Sequence, residues 1–518
     1  MELPAATWVP CNFQMDNWTM EPPVWAPAFP VEYQYAATEI FGNCLQISGP
    51  SSSGGHLLVE SAQATHNELI EPTEAHDQFE VNLINMEAQI HDNTICEFEE
   101  TTQEFQVDMD TMKMKIHRYP ASLRGFDEYS SVPRMVAMGP YHHGQVLQDQ
   151  LKKVEKVKYV AAYHCVIESG HSLQEVYDAV VSAAHVARHL YDNDVMAGIG
   201  DDDFLPMMFY DACFLVQYML WCTPSASEME GSLRSFFDLN RKVLRHDLML
   251  LENQLPWLVV EAVMRFRHVE LVDFIADWRY YLQDRKILGE KPIVLDDSYE
   301  PPHLLGLLRF YMVGRSNTNV HTRDKFDSIS VSVSAIELAE IGIKLTVKET
   351  RELIHMGISR KGILSAELSL APLSLDDERA SFLINMAALE LCTTSNFQEA
   401  GDEDSAVCSY LLLLSMLVHR EEDVQELRTK HLLQGGAGLI NKEALGFFTS
   451  LQSLPLRGLC YGRVMVEIER YKMERRMRIM VHTFLYRNKG TILAAISVIG
   501  VLVSILGTLM SLKSKSKI

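Results

Sequence analysis

Between Thr491 and Leu512 the chain reads TILAAISVIGVLVSILGTLMSL, 22 residues without a charge. Crossing the hydrocarbon core of a bilayer takes about 20 apolar residues as a helix. Arg487 and Lys489 stand just before the run, and Lys513, Lys515 and Lys517 just after it. Basic residues at both ends act as interfacial anchors. The expectation is therefore a single transmembrane helix over 490–512 followed by a basic tail, 513–518. A buried core helix has no need of so long an uninterrupted run. Such a helix puts nearly all the remaining chain on one side of a membrane. The expected localisation is a single-pass, C-terminally anchored membrane protein, with the plasma membrane as one candidate.

The flanks bear on orientation. From Cys460 to Lys489 there are eight Lys and Arg against three Glu, while three Lys follow the run. The excess upstream favours a cytosolic main domain. The first 30 residues lack a basic segment and are broken by Pro4, Pro10, Pro22, Pro23, Pro27 and Pro30, so no secretory signal is read there. Within the run, Ser497, Gly500, Ser504, Gly507 and Ser511 are spaced 3-4-3-4. Small residues along one face let a second helix approach closely, by self-association or with another span. The alternative is that Gly and Ser are merely tolerated in a span.

Charge divides the rest. The net charge is -23, yet no Lys or Arg precedes Lys113, where 19 Asp and Glu accumulate; the remainder carries 46 basic and 50 acidic residues. Residues 1–112 are read as an acidic, partly disordered extension, or as a docking arm for a basic partner. No nucleic-acid partner is expected. Ser48–Gly55 (SGPSSSGG) reads as a linker, and Phe79, Leu83, Met86 and Ile90 have the spacing of an amphipathic helix. Asn17-Trp18-Thr19 is a glycosylation triplet only if this end is exported. Nine scattered cysteines without a C-x-x-C exclude a disulfide framework and a zinc module, and fit a reducing compartment.

The segment 113–489 is read as a helical globular domain with a few short strands, mainly α. Leu147, Leu151, Val154, Ala161 and Cys165 form one apolar face, with Lys152, Lys153, Lys156 and Lys158 placed mostly elsewhere. Ser172-Leu173-Gln174-Glu175 is a capping box, opening a helix with Val176, Ala179, Ala183, Val186 and Leu190 inward. Gly200–Asp203 reads as a loop. Phe204–Cys222 resembles a span, but Pro206 and Asp211 argue for a core helix. Pro256 should break the apolar stretch Leu244–Phe266. Residues 284–330 read as loop, and short strands are expected between Ser334 and Leu375. Helices are expected at Arg379–Cys392 and at Tyr410–Leu433, the second ended by Gly435–Gly438. A long charged helix should lead into the apolar run.

The sequence lacks a P-loop, a dinucleotide fingerprint, G-x-S-x-G, H-E-x-x-H and a kinase signature set. His142-His143 sits in a Gly/Pro turn, where His171 or an Asp from 201–203 would have to complete a metal site. Adjacent imidazoles diverge on most backbones, so a structural turn is preferred. His185 and His189, four apart, lack an intervening Glu base. Asp247, Glu252 and Asn253 lie among Leu and Met, where each needs a partner to be buried. A buried polar network fixing helix packing is preferred over a catalytic carboxylate pair.

Several of these segments together resemble one plant family. Ile116-His117-Arg118-Tyr119-Pro120 with Leu123-Arg124 opens the resemblance. Met138-Gly139-Pro140-Tyr141-His142-His143-Gly144 is similar to the family's I-G-P-Y-H-H-G. Asp211-Ala212-Cys213-Phe214 resembles D-G-C-F with Ala for Gly. Arg245-His246-Asp247-Leu248-Met249-Leu250-Leu251-Glu252-Asn253-Gln254-Leu255-Pro256 resembles R-D-L-x-L-L-E-N-Q-I-P, with His246 between Arg and Asp. Asn385-Met386 to Glu390, Tyr410 and Asp423-Val424 are similar to later motifs. The chain is thus identified as resembling the plant domain-of-unknown-function 247 family over about 116–512; the acidic extension lies outside that core. The resemblance implies a largely helical, membrane-attached plant protein without established enzymatic activity, so no catalytic residue and no cofactor carry over. Some grass members resemble determinants of pollen self-incompatibility.

The reading is then a non-enzymatic, membrane-anchored plant protein that acts by recognition of an unidentified protein partner, with pollen self-incompatibility as one setting. Two alternatives stand beside it: a metal-dependent hydrolase using the His142/His143 turn, and a general membrane-tethered adaptor.

Overall fold

Asp201–Trp221 is long and apolar enough to cross a membrane, yet 78% of its apolar window is buried inside the protein. Helices close around it on several sides, as a core helix with apolar residues all round requires. In the computed structural model the described residues are 111–515 apart from 125–129, 145–148, 284–291, 316–332, 349, 362–364, 395–396, 398–399, 435–437, 475–479, 481–482 and 485, together with Phe98 and Thr102. They fall in one of the two units into which the chain divides, Ile90–Ile518. The Ser48–Gly55 linker, the Phe79–Ile90 pattern, the Asn17–Thr19 triplet and Gly435–Ala437 lie outside the described residues.

The architecture is mainly α with few short strands. In chain order the first helices are α1 (Asp149–Ser169), α2 (Leu173–Ala187), the short α3 (Asn193–Met196) and the central α4 (Asp201–Trp221). Next come α5 (Gly231–Leu239), α6 (Arg241–Leu248), α7 (Trp257–Met264), α8 (Leu271–Gln283) and α9 (Leu304–Val313). Helices α1, α2 and α7 pack on α4, and α2 also packs on α7.

The second part opens with α10 (Ala335–Glu340) and a three-stranded sheet. Strand β3 (Ser365–Leu370) is central, parallel to β1 (Ile343–Val347) and antiparallel to β2 (Gly357–Lys361). A two-residue pair follows, β4 (Leu373–Ser374) parallel to β5 (Leu433–Gln434). The later helices are α11 (Asp377–Thr393), α12 (Ala406–Leu417), α13 (Glu421–Thr429), α14 (Asn441–Leu451), α15 (Leu459–Glu474) and α16 (Lys489–Lys515). Helix α11 joins the two parts: it meets α6 and α9 on one side and α12 on the other.

Local chemistry explains the boundaries. The Ser172 hydroxyl accepts from Glu175 N while Glu175 reaches back to Ser172, the full capping box. The predicted loop Asp201–Asp203 is instead the first turn of α4, with Gly200 as its cap. Three carboxylates at the positive end of a helix dipole favour that turn. Along α2 the buried stripe is Val176, Val180, Ala184 and Ala187, one residue off the expected face, and Val186 is exposed. The predicted helix Tyr410–Leu433 is two helices and a strand. Asp423 accepts the backbone N–H of both His419 and Ile336, at 3.3 and 3.2 Å, and so favours a break after Leu417. His431, at φ 59°, ends α13. The polar stretch 284–330, read as loop, contains the apolar helix α9.

His303 caps α9: its Nδ1 accepts from Gly306 N at 3.2 Å, and the ring is fully buried. Burial, with His117 nearby adding to it, depresses the imidazole to about 3. In the unfolded chain it titrates near its ordinary value of 6.5. The unfolded state therefore takes up the proton first. This contribution is intact above pH ~6.5 and is lost at about 1.4 kcal/mol per pH unit as pH falls toward ~3. Replacing His303 with Asn keeps a capping acceptor and removes the titration. The thermal midpoint of the wild-type chain is expected to fall more steeply than that of His303→Asn between pH ~6.5 and ~4. Parallel pH profiles would show that the ring is not held neutral by burial.

Candidate functional site

The motif residues converge on the turn between α6 and α7. Helix α6 stops at Leu248, and Pro256 caps α7 with φ -54°, so the helical break begins seven residues before the proline. Asp247, fully buried, faces the loop segment 134–136. Its Oδ1 accepts from Arg134 N at 3.0 Å, and its Oδ2 from Met135 N at 2.7 Å and Val136 N at 2.9 Å. The His246 ring nitrogen Nδ1 lies 2.8 Å from Oδ1. Asn253 continues the pairing: Oδ1 accepts from Met138 N at 2.6 Å, and Nδ2 donates to Val136 O at 2.9 Å and Asp247 O at 2.8 Å. Gln254 closes the turn on itself, donating to Leu248 O and Leu250 O, while its Oε1 accepts from Leu305 N at 2.9 Å.

The Gly-Pro-Tyr-His-His-Gly turn lies directly against this. Gly139 has φ +66°, a region that disfavours side chains, and a Cβ there would meet Tyr191 Oη at 2.9 Å and Gln254 O at 3.2 Å. Its N–H donates to Asp211 Oδ2 at 2.8 Å. Asp211 in turn pairs with Lys158 Nζ at 2.7 Å, and Lys158 also donates to Ala137 O at 2.6 Å. Burial pulls the Lys158 ammonium down, but Asp211 and Glu155 outweigh it and hold it above its ordinary range. The charged form is therefore the one the site contains. Tyr141 donates from Oη to Ile116 O at 2.7 Å, accepts from Asp192 N at 3.0 Å, and packs edge-on against Tyr191.

Glu252 forms the outer end. Its Oε1 accepts from Tyr119 N at 2.7 Å and lies 3.6 Å from Arg118 and 3.5 Å from Arg124; Oε2 is 3.9 Å from His142 Nε2. Arg118 also covers the Tyr141 ring at 4.8 Å. The two guanidiniums are 42% and 56% exposed, with Asp192 beside them, so the buried clasp ends in a charged surface rim.

The structure thus gathers Gly139, Pro140, Tyr141, His142, Asp211, Asp247, Glu252, Asn253, Gln254 and Pro256 around one turn. Cys213 and Phe214 instead fill the core from α4. The Cys165 thiol beside Cys213, and burial, push its thiol well above the usual range. His143 and Gly144 are exposed while His142 is buried, so the adjacent imidazoles diverge. His185 and His189 are exposed, and a short 3-10 turn, Arg188–Leu190, interrupts their helix. His171 lies against Glu175 and Phe266, and Asp201 pairs with Arg188. Among the described residues no three of His, Cys, Asp or Glu converge where a metal ion could be held.

Three contributors are not placed at the site by the sequence, although Asn385 and Glu390 bound a segment similar to one of the family's later motifs. Lys158 reads as off the apolar face by residue type, yet Val154, Lys158, Ala161 and Cys165 run 4-3-4 along the buried stripe, and that register is the available signal. Asn385 on α11 accepts from Leu251 N at 2.8 Å and donates to Ser130 O at 2.9 Å, tying the second part of the fold to the clasp. Glu390, five residues on, accepts from Arg309, Val407 N and Cys408 N. Neither partner set is visible in local spacing.

The tail helix is the second candidate region. Among its described residues Leu493, Ile496, Val498, Ile499, Val501, Leu502, Val503, Ile505 and Leu506 are all exposed. A Cβ on Gly500 or Gly507 would meet nothing within 4 Å, and Ser497 and Ser504 share their face. The side chain of Ser511 lies outside the described residues.

Comparison with known proteins gives one family. The profile of DUF247, a plant protein of unknown function, matches residues 116–503. Among curated proteins, the UPF0481 protein At3g47200 of Arabidopsis thaliana is 23% identical over 361 residues, covering 64% of this chain and 71% of its own length. No solved structure matches.

Removing the Asp247 carboxylate strands the buried Val136 N–H and leaves the part-buried N–H groups of Arg134 and Met135 without their acceptor, at a cost of about 1–3 kcal/mol for a group kept from water. Asp247→Ala is expected to destabilise the chain by at least ~3 kcal/mol. Denaturant unfolding followed by tryptophan fluorescence measures it; a loss under about 1 kcal/mol would mean that the loop 134–138 is held by something else.

Proposed function

Since the chain belongs to the plant DUF247 family, whose function is unknown, we propose that it is a membrane-tethered recognition protein without a catalytic step. The observation that carries this reading is the helix Lys489–Lys515, whose apolar side chains are exposed along its described length. Apolar surface in water is unfavourable by about 25 cal/mol per Å2, so the helix calls for an apolar surrounding that the other described residues do not supply. Arg487 and Lys489 before it, and Lys513 and Lys515 at its far end, have the character of interface anchors.

The clasp supports the second half of the reading. Asp247 and Asn253 are fully engaged by their own chain, which suits holding a loop better than transforming a substrate. What reaches solvent is the Arg118, Arg124, Asp192 and Glu252 rim, with His143 nearby. A rim of charges held by ion pairs to Glu252 suits selective docking of a charged protein surface. The narrower role in pollen self-recognition rests on the resemblance of grass members alone. Pollen-restricted expression would favour it, and uniform expression would favour a general adaptor.

In membranes from expressing cells, the full chain is expected to stay in the pellet through alkaline extraction. Ile499→Lys combined with Val503→Lys costs about 2.5–3.5 kcal/mol per lysine at mid-bilayer and should release it. In sealed cytosol-side-out vesicles an N-terminal tag should be digested by added protease. Extraction of the wild-type chain would refute the tether, and a protected tag would place the recognition surface outside the cytosol.

The small-residue face makes a separate prediction. Gly500→Leu with Gly507→Leu fills the open groove and should abolish self-association in a membrane two-hybrid assay. An unchanged signal would show that this face is not a contact.

A further inference from the structure

Beside the root of the tail helix, between α10, β1 and α13, lies a cavity of about 250 Å3. Small residues leave the space, Ala339 and Gly342 among them, the latter at φ +88°. Lys344, Lys430 and Glu426 line it, and Tyr486 closes one wall. Lys430 Nζ is 3.4 Å from Glu426, whereas Lys344 is exposed and has no ion pair among the described residues. The lining therefore carries one positive charge in excess, and Lys489 adds another nearby, its ammonium 4.9 Å over the Tyr486 ring.

The position of this cavity is what gives it meaning. Tyr486 belongs to the segment leading into α16, and that segment is fastened to α10. Thr483 Oγ1 donates to Glu340 O at 3.0 Å, and Arg487 Nε donates to Glu340 Oε2 at 3.1 Å. From Tyr486 to Thr491, where the uncharged run begins, the helical rise is about 7.5 Å. The headgroup layer of a bilayer is about 5–7 Å deep on each side. With the run in a membrane, the two lysines sit at the depth of lipid phosphates, and Tyr and Lys have the character of interface residues.

We propose that this cavity is a headgroup site for an anionic phospholipid, with Lys344 and Lys430 holding the phosphate and Tyr486 lying along the glycerol. The assignment rests on the membrane-tethered reading, since only that puts phosphates permanently at this depth. Glu426 works against it by competing for Lys430, which sets the direction of one test.

The full chain, purified in neutral detergent, is titrated with fluorescent phosphatidic acid and separately with fluorescent phosphatidylcholine. Phosphatidic acid is expected to bind at least about tenfold more tightly, since two lysines act on its charge and one is shared with Glu426. Lys344→Ala with Lys430→Ala should remove that preference. Glu426→Gln should strengthen phosphatidic acid binding by about threefold, a gain that misfolding does not produce. Equal binding of the two lipids, or a preference untouched by the lysine substitutions, overturns the site. Complete displacement of phosphatidic acid by excess inorganic phosphate overturns the lipid assignment and leaves a free-phosphate site. Binding in detergent does not require anchoring, so alkaline extraction of the same chain separates failure of the tether from failure of the site.

Discussion

The carboxylate of Asp247 is the constraint on which the rest of the first part depends. It sits at the end of α6 and accepts three consecutive backbone N–H groups of the segment 134–136. A loop crossing the core has backbone groups that no ladder or helix satisfies, and one buried carboxylate resolves three of them at once. Asn253 then reads the same loop two residues further on, and Asp211 takes the N–H of Gly139. The negative charges are balanced at both ends, by Lys158 within the core and by Arg118 and Arg124 at the rim. Breaking such a network by removing one member costs more than the mean worth of a hydrogen bond, because the orphaned groups stay buried.

Helix α11 extends the same logic to the second part. Asn385 pairs with Leu251 N in the turn and with Ser130 O at the start of the loop, so a residue 134 positions away from its partner fixes the same clasp. One turn further along α11, Glu390 caps the start of α12 through Val407 N and Cys408 N and holds Arg309 of α9. A single helix thereby sets the position of α6, α9 and α12 through two polar side chains. The order of these pairings suggests why the described core has polar residues buried among so many Leu and Phe. They specify which loop goes where, a task that non-directional apolar packing does poorly.

Much of this was legible in the residues. Apolar periodicity and the Ser172 box located the early helices, and Pro206 with Asp211 distinguished a core helix from a span. Polar residues at 247, 252 and 253 among leucines pointed to a network, because an unpaired buried carboxylate is too costly. What could not be read were the long-range partners. Lys158 counts as surface by residue type, and only Asp211, 53 positions later, makes it a core residue. The split of Tyr410–Leu433 has the same origin: the segment is apolar enough for one helix, but the Asp423 side chain competes for the N–H of His419 and also caps α10. Local propensity had no access to either pairing.

The tail and the domain obey opposite demands, and the boundary between them carries the functional argument. The domain hides its apolar surface around α4, while α16 leaves its apolar surface uncovered. Between the two, the segment 483–487 is held on α10 by Glu340. A tether of this kind restricts how the domain leans on whatever surrounds the helix, because Thr483 and Arg487 lie on neighbouring turns and grip the same residue. On the proposed membrane-tethered reading, the charged rim at Arg118 and Arg124 would be presented by a domain with limited freedom to rotate about the tail helix. Limited freedom would lower the entropy lost if a partner docked there, so the same rim contacts would yield more net affinity. The Arg487–Glu340 pair is partly exposed and salt-sensitive, which makes it weak alone. Its contribution is to orientation, and it acts together with the Thr483 hydrogen bond at the root of the tail helix.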